Sequence, residues 1–407
     1  MSDHDWEDAR RRTGDRAARS PAVAGQGASA RRAAQSWWSV ALAVTGSSLV
    51  LFGLLHSLPA SQRTGRGPLP PVGSPADPTT TKARAAGASR AAEPWAMASG
   101  EPNSYLVVLD SSQPGPARPL GHSGLLPGTV QSVAVADGYT YVAAYGSGVH
   151  VLDVRDPTQP TVVGHAAAAR FVHRVAVSEG YAYAAAGSGG LRVLDVADPR
   201  HPIEIGADPL EGRALDLAVS GSLAYVVAGR QGLHIVDVSD PTRPTPVGCW
   251  CVAHFTNGVA LAGDLAYVSA YDTGLHVLDV RDPAHPQAIG TFTPPWNSLG
   301  VAVAGPHVYL ATEGGGLYRL DVSDPRQPRV VDTSAAARTE AVLSSDGSDL
   351  YVADHRCALQ AVRTRDGGAP TALGVLNVPG IAAAVAVAAP YVYVATLPVD
   401  PLRDCES

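Results

Sequence analysis

From residue 104 onward the chain alternates short apolar runs with turn residues, at roughly ten-residue spacing, and carries no 3.6-residue helical period. Arg213 to Val247 shows the unit. Leu217-Ala218-Val219 is followed by the turn Ser220-Gly221, then Leu223-Ala224-Tyr225-Val226-Val227, then Gly229 to Gly232. Leu233-His234-Ile235-Val236-Asp237-Val238 comes next, closed by Ser239-Asp240-Pro241, and Thr245-Pro246-Val247 is a fourth, weaker segment. Proline cannot donate a ladder hydrogen bond, so that fourth segment is predicted at a sheet edge. Hairpin-length turns require antiparallel neighbours, which argues against a parallel β-solenoid.

The pattern repeats in strict register. Tyr141, Tyr183, Tyr225, Tyr267, Tyr309, Tyr351 and Tyr393 are each 42 residues apart, as are Asp153, Asp195, Asp237, Asp279 and Asp321. A period near 40 residues with four short strands per unit predicts the blades of a β-propeller. Inner strand pairs centre on Val133, Val175, Leu217, Val259, Val301, Leu343 and Val385. The chain enters on an outer pair near Tyr105 and leaves on an inner pair ending near Val394, so the two halves are expected to complete one blade together. The fold class expected is therefore all-β, a seven-bladed propeller of 42-residue repeats over 104–397, with a tail at 398–407. The units at Asp110 and Arg363 are degenerate, both beside the closure.

Five copies of Leu-x-Val-Leu-Asp-Val-x-Asp-Pro-x-x-Pro run from Val149 to Pro160, Leu191 to Pro202, Leu233 to Pro244, Leu275 to Pro286 and Leu317 to Pro328. This motif closely resembles the LVIVD-repeat family. The resemblance implies a β-propeller of bacterial or archaeal surface and envelope proteins, and it brings no catalytic residues to carry over.

Upstream of the repeats the composition changes. Residues 37–58, from Trp37 to Leu58, hold no formally charged side chain. As a helix the segment would be about 33 Å long, enough to cross a hydrocarbon core of about 30 Å. A signal anchor is expected, with secretion after signal cleavage as the alternative; Leu58-Pro59-Ala60 offers no clear small-x-small cleavage site. Arg10, Arg11, Arg12, Arg16, Arg19, Arg31 and Arg32 precede the segment and only Arg63 and Arg66 closely follow it. The positive-inside rule then puts the disordered basic segment 1–36 in the cytoplasm and the propeller outside, on a single-pass membrane protein. Residues 59–103 are rich in Pro, Ala and Gly and are expected to form a flexible stalk.

A net charge of −7, without a basic stripe, argues against nucleic acid as a partner. None of the four cysteines has zinc-site spacing. Cys357 and Cys405 are expected on one face of neighbouring blades, where a disulfide would join them outside the cytoplasm. Cys249-Trp250-Cys251 is expected to hold free buried thiols, since so short a loop strains the bond geometry.

The aspartate ladder is expected to cap turns, and the tyrosine ladder to pack between blades. His150, His234 and His276 recur at one position and are dispersed, which argues against a metal cluster. Candidate recognition residues lie where the repeats differ, in the loops leading into the innermost strands around the channel mouth. They are Arg170, His173, Arg174, Arg213, Asp216, His254, Asn257, Trp296, Arg338 and Glu340. Such a lining suits a small polar or anionic ligand, or a segment of an envelope or extracellular protein. Arg174 and Asp216, on adjacent blades, are also positioned simply to pair.

The function expected is a non-catalytic binding or scaffold module without cofactor or metal. The alternative is a metal-dependent hydrolase, similar to propeller lactonases, for which only Asp216, Asn257, Asn297 and Glu340 are eligible ligands.

Overall fold

The computed structural model describes residues 104–397 except 113–116, 168–170, 253, 335–341, 346–348, 354–357, 364–370 and 379. The described part begins with β1 (Tyr105–Asp110) and β2 (Arg118–His122). Then follow β3 (Thr129–Ala136), β4 (Tyr139–Tyr145), β5 (Gly148–Asp153) and β6 (Thr161–Ala166). The next set is β7 (Arg174–Ser178), β8 (Tyr181–Ala185), β9 (Leu191–Asp195) and β10 (Ile203–Asp208). After it come β11 (Asp216–Ser220), β12 (Leu223–Val227), β13 (Leu233–Asp237) and β14 (Thr245–Trp250). β15 (Thr256–Ala262), β16 (Leu265–Ala270), β17 (Gly274–Asp279) and β18 (Gln287–Phe292) continue the series. So do β19 (Ser298–Ala304), β20 (His307–Thr312), β21 (Gly316–Asp321) and β22 (Arg329–Ser334). The last are β23 (Val342–Ser345), β24 (Asp349–Ala353), β25 (Ala358–Arg363), β26 (Thr371–Asn377), β27 (Ile381–Ala388) and β28 (Tyr391–Leu397).

The fold is an all-β β-propeller. Its strands form four-stranded antiparallel sheets, six from consecutive strands and one in the order β2-β1-β28-β27. In that mixed sheet β1 pairs with β28 from Tyr105↔Thr396 to Asp110↔Tyr391, joining chain segments nearly three hundred residues apart. The first strand of each set touches the first strand of the next, and β27 touches β3.

The tyrosine ladder explains the packing. All seven ladder tyrosines are buried. Each belongs to a cluster shared with the following sheet: Tyr141 with Val175, Tyr183 with Leu217, Tyr225 with Val259 and Tyr267 with Val308. Tyr309 joins Leu350, Tyr351 joins Val385 and Tyr393 joins Val133. The core is thus a set of apolar seams between sheets, where each fully buried Leu or Val is worth about 1.5–3 kcal/mol.

At the outer ends, the aspartates do what the turn chemistry requires. Oδ1 of Asp153, Asp195, Asp237, Asp279 and Asp321 accepts the N–H two residues on, at 2.8–3.1 Å. The second aspartate of the motif repeats this: Asp156, Asp198, Asp240, Asp282 and Asp324 cap their own i+2 N–H groups at 3.0–3.1 Å. Even the degenerate first unit keeps the cap, from Ser112 N–H to Asp110 Oδ1 at 2.8 Å.

These turns then lie against a glycine of the preceding sheet. A Cβ added at Gly164, Gly206 or Gly290 would stand 2.1 Å from the carbonyl oxygen of Pro199, Pro241 or Pro325. Only glycine allows that backbone approach. Asp332 takes the glycine's place where the following unit lacks the Asp-Pro turn and carries Arg363-Thr364-Arg365-Asp366 instead. There Asp332 pairs with the buried Arg319, Nη2 to Oδ2 at 2.8 Å.

Candidate functional site

The innermost strands carry a recurrent irregularity. The β3–β4 register skips Gln131, β15–β16 skips Asn257, β19–β20 skips Leu299 and β27–β28 skips Ala383. Each is an extra residue two places before the strand's anchor valine. At the same offset His173 N–H bonds to Ala185 O and Leu215 N–H to Val227 O, just before β7 and β11 begin. A bulge re-aims side chains next to it. On several of the inner strands it brings side chains at this offset to one cavity, while Ala383 of β27 stays in the apolar core.

This cavity, of about 180 Å³, is lined by Gln131, His173 with Arg174, Leu215 with Asp216, Asn257 with Gly258, and Leu299 with Gly300. Five sheets contribute to its wall. Gly258 and Gly300 bare the backbone there, while Leu215, Leu299 and Val301 supply apolar surface.

Asp216 is the electrostatic centre. Its Oδ1 meets Arg174 Nε at 3.1 Å and accepts Leu217 N–H at 2.9 Å, and its Oδ2 accepts Val259 N–H at 2.9 Å. One carboxylate therefore ties three sheets together. Burial raises its pKa, and the Arg174 charge with the two backbone N–H groups opposes that rise. Ser132, at the same place one blade earlier than Arg174, makes a longer version of the contact, accepting Val175 N–H at 3.4 Å. Asn257 also bridges sheets, donating from Nδ2 to Ser298 O at 3.0 Å and accepting from Ser269 Oγ at 3.3 Å.

His173 differs from these. Its ring sits edge-on to Tyr145 at 5.4 Å, and its Nε2 is buried without a hydrogen-bond partner among the described residues. Burial, reinforced by the Arg213 charge, pushes its pKa down to about 4. The imidazole is therefore neutral at physiological pH and keeps an unused polar atom beside the cavity.

The remaining sequence candidates separate. Arg213 is exposed above His173 and stays outside the cavity lining. His254 is exposed and stacks on His276 at 6.3 Å. Trp296 is 50% exposed and lies over its own blade's turn, where a Cβ on Gly315 would come within 2.1 Å of the indole. Asn297 turns away from the channel to donate to Glu313 Oε2 at 2.9 Å, an oxygen that also accepts Tyr271 O–H at 2.8 Å. Arg170, Arg338, Glu340, Cys357 and Cys405 lie outside the described residues.

The oxygens of Asp216 and Asn257 are already engaged by N–H and O–H donors. Among the described residues no group of three His, Cys, Asp or Glu side chains is placed to hold a metal ion. Two of the three recurrent histidines bond within their own sheets, while the buried Nε2 of His234 has no hydrogen-bond partner among the described residues. His150 meets Ser147 Oγ at 2.9 Å and His276 meets Thr273 Oγ1 at 2.8 Å, each within its own sheet. Burial holds both near a pKa of about 4.

One expectation is corrected. Cys249 and Cys251 are not free buried thiols but form a disulfide, and both residues are exposed. β14 ends at Trp250, so Cys251 has left the ladder. The chain bends enough to bring the two Cα atoms to 5.3 Å, inside the range a disulfide spans.

Gln131, Leu215 and Leu299 are cavity residues the sequence reading passed over. Gln131 stands at the same offset from its anchor as His173 and Asn257, a signal present in the alignment of repeats.

The fold and this varied mouth define a repeat β-propeller. More particularly, it is an LVIVD-repeat protein: the LVIVD repeat is matched at residues 127–167, 169–207, 211–250, 255–293 and 297–334. No curated protein sequence matches the chain. Among solved structures, the computationally designed Ika8 protein is similar with a TM-score of 0.55 at 10% identity, over 74% of this chain and 95% of that one. Raptor of Chaetomium thermophilum is similar at 0.52 and 10%, over 68% of this chain and 28% of that one. Sqt1 of Saccharomyces cerevisiae is similar at 0.51 and 8%, over 65% and 80%. At such identities the likeness concerns the fold alone.

Proposed function

We propose that this protein is a seven-bladed propeller held outside the cytoplasm by a single membrane helix, and that it recognises a small polar or anionic ligand, or a partner's protruding segment, at its channel mouth. The carrying observation is the bulged pair of positions on successive inner strands. The bulge is a recurrent backbone device, yet the side chains at its offset differ among the five sheets that line one cavity. Supporting the closed ring are the β1–β28 pairing, the β27–β3 contact and the seven apolar seams.

The chemistry of the mouth favours recognition over turnover. Asp216 is committed to Arg174 and two N–H groups, and among the described residues no hydroxyl or thiol is hydrogen-bonded to the buried Nε2 of His173. In the described lining Arg174 is balanced by Asp216, and the exposed Arg213, whose charge acts on His173, adds a further cation within a chain of net charge −7. That contrast favours an anionic group on the ligand. Among the described residues no helix is long and apolar enough to cross a membrane, and Trp37 to Leu58 lies outside them. The exposed Cys249–Cys251 disulfide supports an oxidising compartment.

Two measurements test this reading. Protease added to intact cells should cut the stalk and release the propeller, whereas protection until lysis contradicts the topology. A photo-crosslinking residue at Gln131 of the full chain should give a discrete adduct in cells, and one at Thr242 on the outer rim should not. Adducts at Thr242 alone would place recognition elsewhere.

A further inference from the structure

The Cys249–Cys251 bond is poorly suited to a structural role. A disulfide stabilises mainly by restricting the unfolded chain, and the effect shrinks with the loop it closes. This loop contains only Trp250. Trp250 is already held without it, packed into the seam that contains Tyr225 and Val259 and set 4.9 Å from the ring of His276. On the ladder, Leu233 pairs with Trp250 and His234 with Cys249, so the strand is fixed up to the bond by its own pairing.

The site also departs from the repeats. Positions equivalent to Cys249 hold His165, Ala207, Thr291 and Thr333, and those equivalent to Cys251 hold Ala167, Pro209 and Thr293. Both cysteines are exposed, Cys249 on an outermost strand and Cys251 just beyond its end, open to an approaching thiol. Exposed disulfides are the labile ones, in contrast with buried structural disulfides.

We propose that Cys249–Cys251 is a reducible dithiol/disulfide site that exchanges electrons with thiols while the propeller stays folded. An incoming thiolate attacks one exposed sulfur along the S–S axis. A mixed disulfide forms, the Cys249–Cys251 bond breaks, and the other cysteine leaves as a thiolate. A second thiolate, from a second monothiol or from the same dithiol partner, attacks the mixed disulfide and departs as the oxidised product. Two electrons pass to the protein and two cysteine thiols remain after protonation. The reverse sequence oxidises a partner dithiol. Trp250 anchors the pair on either side, so reduction releases a short bend rather than a blade.

The test uses the purified full chain in detergent, with reduced glutathione as the monothiol probe and dithiothreitol as the dithiol. Alkylation followed by peptide mass mapping reads Cys249 and Cys251 separately from Cys357 and Cys405. Both should become alkylated after native treatment with glutathione, at least about tenfold faster than a buried structural disulfide. Oxidised glutathione should restore the bond, with unfolding curves nearly superimposed in the two states. Cys251→Ser should carry a glutathione adduct at Cys249. A bond that yields only after denaturation overturns the proposal, as does a pair that alkylates fully with no reductant added. Neither result bears on recognition at the channel mouth, which involves none of these residues.

Discussion

The outer rim and the channel mouth of this propeller come from the same 42-residue unit, yet copying has treated them in opposite ways. At the rim, each turn sets two aspartate caps and lays its backbone on a glycine of the sheet before it. The contact is backbone to backbone, so the side chains that permit it are fixed: Asp to close the turn, Gly to admit it. At the mouth the repeated element is again a backbone device, the bulge, but the side chains at its offset border an open cavity and differ from sheet to sheet. Asp332 shows the same logic in reverse. Where the neighbouring turn loses its Asp-Pro, the glycine is lost too, and an ion pair with Arg319 occupies the place. Variation by itself is therefore a weak sign of function, and variation around an open cavity is a better one.

Breaking the ring should have the largest effect. Deleting residues 381–397 removes the two strands that complete the β1–β2 sheet and leaves two seams open. Denaturant unfolding of the full chain should lose its cooperative transition rather than shift it. A shortened protein that unfolds like the intact one would contradict the closure.

Next in size is a rim glycine. Gly206→Val places a Cβ 2.1 Å from the Pro241 carbonyl oxygen, a backbone atom that cannot step aside cheaply. A loss of about 3 kcal/mol or more is expected in denaturant titration. Gly124→Ala, which meets no atom within 4 Å, is the control and should be nearly neutral.

Arg174→Ala comes third and has a pH signature. It leaves Asp216 largely buried and without its cation, at an expected cost of about 2–3 kcal/mol at neutral pH, discounted because Arg174 is 33% exposed. Burial already raises the folded pKa of Asp216, and the substitution raises it further. A group with a raised carboxylate pKa stabilises the fold below its unfolded pKa and loses that contribution as pH rises through the folded pKa. The penalty of Arg174→Ala should therefore shrink on acidification, and Asp216→Asn in the same chain should remove most of the pH dependence. A penalty unchanged from neutral to acid pH would show that the charge of Asp216 is not its source.

The smallest effect is the acid limb contributed by the rim. The guanidinium of Arg155 holds Asp153 at about 2, and that of Arg281 does the same for Asp279. Depressed carboxylate pKa values give stability that is complete above the ordinary value of 3.8 and is lost as pH falls toward about 2. Replacing both arginines with glutamine should flatten that limb, as a small loss of stability at neutral pH in denaturant titration that disappears as pH falls toward about 2.

The fold was legible in the sequence because packing is periodic. The tyrosine and aspartate ladders report seams and turns that recur with each unit, and the motif copies carry the family resemblance directly. The mouth was only partly legible. His173, Arg174, Asp216 and Asn257 do converge on the cavity, and Arg174 does pair with Asp216. Gln131 was passed over because a bulge changes a residue's partner without changing its neighbours in sequence. Asn297, named only as an eligible metal ligand, donates to Glu313 on its own blade's turn. The Cys249–Cys251 bond was missed because so short a loop was expected to strain it, whereas the ladder stops at Trp250 and the chain bends to bring the two Cα atoms to 5.3 Å.

The most direct test of the central claim compares mouth and rim in one assay. Full chains carrying Gln131→Ala with His173→Gln, or Thr242→Ala with Arg200→Ala, are crosslinked in intact cells beside the unsubstituted protein, and the adduct yield is read by mass spectrometry. The mouth pair should cut the yield at least about tenfold, the loss expected for about 1.4 kcal/mol of binding energy. The rim pair should leave it unchanged. An adduct that survives the mouth pair and disappears with the rim pair would contradict recognition at the channel.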